Sequence, residues 1–461
     1  MSLKRPIAYG VVAAAALAMA GCSTVSKINP FKKNTVDDIR GAEKAKRVPV
    51  LALDEALRPA DELKGIQFFL PSAKAQADWP LPGGTAEQSV EHVDAAPAFQ
   101  VAWRRRFGQK STHDAQVTAP PVAFGGRIFV MDGEAQVSAL DGASGRQVWR
   151  VNLNPKLRRD RHAFGGGLAI ADGKLFVTSG FRFVAALDVG TGALLWKEKT
   201  SAPIHNAPTV SGGRVFATTT DNELDTFDAA SGRPGWKYQA LVEPARILQA
   251  SSPAVSGDTV VASFSSGELV ALSAANGTEL WNQQLTRASR TTALSEIRDI
   301  PGRPVIYRGD VLAGSHSGVF ASVDIRTGQM RWQPLAIATL DSAWAAGDVV
   351  FITSKAGEVI CASRDTGQVY WIRDLNAGRK QVRQTRWFGF TKVDRPYWTG
   401  VVYAGNRLIS VSSEGNAASI DPRTGALLST IKLGAPGLIA PIAVNGMVYV
   451  VTDDAELVAI R

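Results

Sequence analysis

The 461-residue chain is 45% hydrophobic and 20% charged, which excludes a disordered polymer and leaves too much sequence for one ordinary core unless that core is repetitive. Its 43 glycines, 23 prolines and 11 tryptophans follow no strict three-residue period, a balance that favours a turn-rich β protein over collagen or a helical bundle. The net charge of +9 keeps a polyanion among the partner classes to be weighed.

In chain order, residues 1–21 come first: Lys4 and Arg5, an apolar run from Ile7 to Ala20, then Ala20 and Gly21 directly before Cys22. A charged start, a short apolar middle and small residues at a cleavage point read as a secretory signal, and the run is too short for a stable membrane span. If Cys22 serves that signal, Cys361 is the one cysteine left, so neither an internal disulfide nor a zinc set can form around it. The five histidines, at 92, 113, 162, 205 and 316, are not at metal-ligand spacing. Residues 22–97 mix charge clusters with proline and glycine, show no sustained period, and read as a mostly flexible linker with room for one short helix around 54–63.

From residue 98 to 461 a pattern recurs: a polar hairpin, an apolar strand ending in Asp or Ser, a Thr/Ser/Asn-Gly turn, then a strand carrying tryptophan. Copies end in Asp141, Ser144-Gly145 and Trp149; Asp188, Thr191-Gly192 and Trp196; Asp228, Ser231-Gly232 and Trp236; Ser273, Asn276-Gly277 and Trp281. Three more follow with Asp324, Thr327-Gly328 and Trp332; Ser363, Thr366-Gly367 and Trp371; and Asp421, Thr424-Gly425 and Ser429, where tryptophan is missing. The acid or hydroxyl suits a turn whose amides need acceptors, the glycine a positive φ, and the tryptophan a gap between sheets. Eight hairpins accompany seven full turns. The surplus is resolved if Val101-Ala102-Trp103-Arg104 is the last strand of the sheet formed by the chain's final strands. The mean spacing of about 47 residues suits a four-stranded blade. The expectation is an all-β, eight-bladed β-propeller of four-stranded blades, closed by an N-terminal strand in the last blade.

At these residues a family resemblance enters. The A-x-D-x-x-T/S-G-x-x-x-W repeat resembles that of pyrroloquinoline-quinone enzymes and their non-enzymatic relatives, and Leu17-Ala18-Met19-Ala20-Gly21-Cys22 resembles a bacterial lipobox. Together they resemble the BamB family of outer-membrane assembly lipoproteins. That resemblance implies lipid on Cys22, an outer-membrane location facing the periplasm, no cofactor, and docking to BamA through its POTRA domains, with unfolded outer-membrane proteins as further candidate partners. Its partner-binding segments align with Leu294-Ser295-Glu296-Ile297-Arg298-Asp299 and Ala245-Arg246-Ile247-Leu248, which carries Ile247, Glu296 and Asp299 over as expected contacts.

Two other classes compete. A quinone-dependent periplasmic dehydrogenase of this fold would resemble its family in an adjacent-cysteine disulfide that this chain cannot make, and the repeat aspartates are better explained as turn-formers than as catalytic acids. A cationic binding surface is suggested by residues 379–398, where Lys380, Arg383, Arg386, Lys392 and Arg395 alternate with Trp387, Phe388, Phe390, Tyr397 and Trp398, a composition that single-strand binders use. An export signal removes the protein from nucleic acid, so protein contact or packing is the favoured use of that segment. The expected function is a non-catalytic scaffold.

Overall fold

The computed structural model describes residues 57–156, 163, 165–243, 251–286, 297–378, 382–385 and 391–461. The expected signal, Cys22 and the linker as far as residue 56 lie outside the described residues.

The first blade shows the rule. Strands Val122–Phe124, Arg127–Met131, Gln136–Asp141 and Gln147–Asn152 pair antiparallel in sequence order. The order repeats in blade 2 (Gly166–Ala171 to Leu194–Lys199), blade 3 (Thr209–Ser211 to Pro234–Gln239) and blade 4 (Ala254–Ser256 to Glu279–Gln284). It returns in blade 6 (Trp344–Ala346 to Val369–Asp374) and blade 7 (Trp398–Ala404 to Leu427–Lys432). Middle strands such as Phe183–Asp188 and Arg214–Thr218 are buried almost throughout, because both faces meet a neighbouring blade. Outer strands such as Leu194–Lys199 alternate between exposed and half-buried, since they end the sheet.

Blade 8 is assembled from both parts of the chain, as the repeat count requires. Ile442–Val444, Met447–Val451 and Glu456–Ile460 are completed by Val101–Arg106, with Trp103 opposite Ala459 and Arg105 opposite Leu457. The ring has eight blades. Blade 5 departs locally: after Val305–Tyr307, Asp310–Gly314 and Phe320–Asp324, its fourth strand is reduced to two bridges, Val323 with Met330 and Phe320 with Leu335. Pro334 cannot donate to a ladder there. Arg331 compensates, its Nε donating to Asp310 at 2.6 Å and a terminal nitrogen lying 2.7 Å from Asp324.

One joint recurs between blades. Each repeat tryptophan from Trp149 to Trp371 reaches across to the following blade, where its indole N–H donates to the carbonyl next to the turn acid or serine. Trp149 meets Val189 O at 3.2 Å, Trp236 meets Ala274 O at 3.1 Å and Trp281 meets Ile325 O at 2.7 Å. The ring lies on the turn glycine of that blade, so a Cβ on Gly192, Gly277 or Gly425 would come within 2.8, 2.5 or 2.5 Å of a tryptophan carbon. Glycine is thus required twice, for its positive φ and for the room it leaves. The turn acid holds the loop itself: Asp188 Oδ1 accepts from the Thr191 amide and hydroxyl at 2.8 and 2.7 Å, and Asp228 does the same with Ser231 at 2.7 and 2.6 Å. These bonds stabilise the ionised form and hold both carboxyls below their ordinary range.

The joint also explains its own exception. Ser429 replaces tryptophan in blade 7, and in the blade that follows no turn joins the last two strands, so there is no glycine to cover. At the seam between blades 8 and 1, Trp103 does lie on Gly145, but its indole N–H has no acceptor. The carbonyl in question, Gly142 O, takes the Tyr449 hydroxyl instead, at 2.9 Å. Phe129, Phe176, Phe216 and Phe351 pack on tryptophans where Tyr449 packs on Trp103, so one added hydroxyl rewires the closing joint.

Residues 57–97, expected as linker, belong instead to the folded body. They form a strap across the ring, most of it extended chain with one turn of 3₁₀ helix at Asp61–Leu63. Trp79 exchanges both backbone hydrogen bonds with Ala123 of blade 1, Pro80 O accepts from Ile170 of blade 2, Ala86 O from Val255 of blade 4 and Glu87 O from Ile306 of blade 5. Gln88 reaches Thr209 of blade 3, the Trp344 indole of blade 6 donates to Glu91 O, Val93 pairs with Tyr403 and Gly405 of blade 7, and Ala96 donates to Gly446 of blade 8. The segment touches every blade at or near its innermost strand, and Trp79 stacks with Trp344 at 6.2 Å. No periodicity arises from such contacts, because each is a single bridge rather than a ladder. The 379–398 segment holds a hairpin, Val382–Thr385 with Thr391–Asp394, and runs into the blade 7 core at Trp398, whose indole donates to Asn376 at 3.0 Å.

Two outcomes are expected. Gly277→Ala and Gly257→Ala share a positive φ, but Gly257 has open space around it; the second should lose about 1 kcal/mol from left-handed strain and the first about 2–4 kcal/mol, because overpacking adds to it. Equal losses in denaturant titrations would refute the tryptophan contact as the added cost. His92, in the strap, stacks on Tyr403 at 3.8 Å, with Nδ1–H donating to Pro71 O at 2.8 Å and Nε2 accepting from the Asn406 amide at 3.1 Å. Burial lowers its pKa from 6.5, so its contribution to stability is full above that value and declines as pH falls below it. Thermal melts between pH 7 and about 5 should show His92→Gln losing less stability than the parent; parallel curves would contradict this.

Candidate functional site

The innermost strands begin at the mouth of the axial channel opposite the strap, each after the connection from the preceding blade. These connections surround a cavity of about 540 Å³ whose wall includes Pro120, Gly165, Ala207, Arg303, Asp341 and Tyr397. Thr178 Oγ1 donates to Asn206 O at 2.5 Å and Asn206 Nδ2 to Ser251 O at 2.5 Å, which links the entries of blades 2, 3 and 4.

Two acids lie on the wall, Asp341 and Asp453, and the first is held by two hydroxyls. Asp341 accepts from Thr399 Oγ1 at 2.7 Å and Tyr397 OH at 2.9 Å, and burial raises its pKa despite those bonds. Arg303 differs. Its backbone amide donates to Ser342 Oγ at 2.8 Å, while its Nε is shielded from solvent without a hydrogen-bond partner. Burial holds its guanidinium down to about 10, with Asp341 acting in the opposite direction as a nearby charge. Cys361 is buried in the core of blades 6 and 7 with its thiol pushed up by burial, and it does not line the cavity.

A second feature lies among the same connections. Leu241 and Val242, after the outer strand of blade 3, are 65% and 71% exposed, the highest values among the large hydrophobic residues described. Glu268 of blade 4 accepts the Leu241 amide at 2.9 Å, and Glu243 lies 3.5 Å from Arg298 on the approach to blade 5. An apolar pair is thereby held out by polar contacts on both sides.

Of the expected partner contacts, Ile247 and Glu296 lie outside the described residues, in segments that adjoin this pair and this ion pair. Asp299 is 1% exposed, and this corrects its reading as a surface contact. The chain turns inward at that point: Asp299 O accepts the His316 amide at 2.8 Å, and His316 lies 2.5 Å from Lys355 on the next blade. Leu241 and Val242 had a readable signal, since two adjacent apolar residues break the alternation of Pro234–Gln239. Arg303 had none.

The outer membrane protein assembly factor BamB family model matches residues 86–160, 134–373 and 375–461. The chain is 23% identical to the outer membrane protein assembly factor BamB of Shewanella oneidensis over 86% of its own length and 96% of that protein's. It is 23% identical to the Salmonella typhimurium protein of the same name over 74% and 83%. Among solved structures, BamB from Moraxella catarrhalis superposes with a TM-score of 0.65 at 20% identity, covering 79% of this chain and all of that one. A quinohemoprotein alcohol dehydrogenase from Pseudomonas putida superposes at 0.63 with 14% identity, covering 84% and 80%. The fold is therefore shared with enzymes, whereas the sequence model spans the propeller from the strap to blade 8, and the chain belongs to the BamB family of outer membrane protein assembly factors.

Proposed function

We propose that this chain is a non-catalytic scaffold of outer-membrane β-barrel assembly, held at the periplasmic face of the outer membrane by lipid on Cys22 and docked to the POTRA domains of BamA. The observation that carries the docking is the outward-held pair Leu241 and Val242, which precedes Ile247 closely in the sequence. A rigid ring suits the task because a partner bound at one rim is held at a fixed orientation to anything bound elsewhere. Apolar residues in the centre of such a patch supply most of the binding energy and the flanking charges set its register. Two or three acyl chains at Cys22, each contributing roughly 0.8 kcal/mol per buried methylene, hold the protein at the membrane where a single chain would exchange. Clients would meet loops or outer strand edges, where an extended segment can add to a sheet.

The test is affinity capture from detergent-solubilised envelopes. The parent should recover BamA, and Leu241→Ser with Val242→Ser and Glu296→Lys should lower recovery about tenfold or more, as loss of a central contact does, with an unchanged melting curve. Undiminished recovery by that folded variant would remove this rim from the docking surface. Cys22→Ser, in parallel, should move the protein from the membrane to the soluble periplasmic fraction; membrane retention would refute the lipid anchor.

A further inference from the structure

Arg303 is anomalous. A guanidinium presents five donors and stays charged; Arg303 is half-buried, and shielding even one of its N–H groups from water without an acceptor costs free energy. Yet no hydrogen-bond acceptor or ion-pair oxygen among the described residues satisfies this side chain, and its Nε is sealed from solvent. The acid that could have paired with it, Asp341, is instead held by Thr399 and Tyr397. A second orphan, Asn206 Oδ1, lies on the same cavity. The strap's contacts with the innermost strands lie at the other end of the channel, so the cavity opens at the mouth formed by the blade connections.

We propose that the axial cavity is a binding site for a small apolar monocarboxylate, whose carboxylate pairs with the Arg303 guanidinium. The planar fork of arginine matches a carboxylate through two parallel hydrogen bonds. Pro301, Leu340, Leu438 and Ile439 supply apolar wall for the remainder of the ligand, and 540 Å³ is within the range of small-molecule pockets. Asp341 and Asp453 also line the cavity, and their charge disfavours anions that carry more than one. The selection is for one carboxylate on an apolar body.

Benzoate, its neutral isostere benzamide, and citrate serve as probes in calorimetric titrations of the purified full chain. Benzoate should saturate in the millimolar range and bind at least about tenfold tighter than benzamide or citrate. Arg303→Met should abolish the preference for benzoate over benzamide, and Asp341→Asn, which keeps an acceptor for Thr399 and removes a repelling charge, should tighten benzoate several-fold. Equal binding of benzoate and benzamide by the parent protein, absence of saturation, or retention of the preference in Arg303→Met would each overturn the proposal. The benzoate-to-benzamide comparison needs no variant to fold, and a failed BamA capture would leave it unaffected.

Discussion

An indole resting on a glycine turn is the contact on which the ring depends. A sheet of four short strands cannot bury both faces alone, so each blade is stable only against its neighbours. The tryptophan converts that need into a directed bond, because its N–H selects one carbonyl of the next blade while its ring fills the space that a missing side chain leaves. Burying such a ring is worth roughly 4–6 kcal/mol gross, and the joint recurs from Trp149 through Trp371. Where blade 5 loses its outer ladder, Trp332 still donates to Arg364 O at 2.9 Å. The joint outlasts the strand that carries it.

The ring in turn makes the site. Because every blade begins at the same mouth, each connection contributes a few residues to one axial wall, and groups distant in sequence, such as Asn206, Arg303 and Tyr397, come to share it. Rigidity of the blades fixes these groups, while the outer rim is free to carry features that the core does not need, including Leu241 and Val242. The shared architecture with a quinohemoprotein dehydrogenase follows from the same geometry. A propeller provides an axial pocket whatever is done with it.

What could be read from the residues alone was whatever recurred. The Asp-x-x-Thr/Ser-Gly turn and its tryptophan declare a local hydrogen-bond need, and the unpaired Trp103 strand announced the closure through an accounting surplus. The strap was missed because Trp79, Gln88 and Val93 act singly, each at a different blade, with neither alternation nor helical spacing. Asp299 was expected as a contact because its segment resembles the family's partner-binding segment, and such a resemblance says nothing of burial, which the 1% exposure of Asp299 shows. Arg303 is recognised by partners it lacks, and an absence of contacts has no signature in a string of letters.

The strap and the closing strand impose an order on events. Ala77 accepts a hydrogen bond from Asn445, 368 residues further on, and Trp103 waits for Ala459. During synthesis these early residues emerge long before their partners exist, so the first blades must stand with an uncovered axis and an unsealed flank until nearly the whole polypeptide has been made. Contacts of such sequence separation slow folding, and the half-built ring is the stage at which chaperones and proteases have their longest access to it.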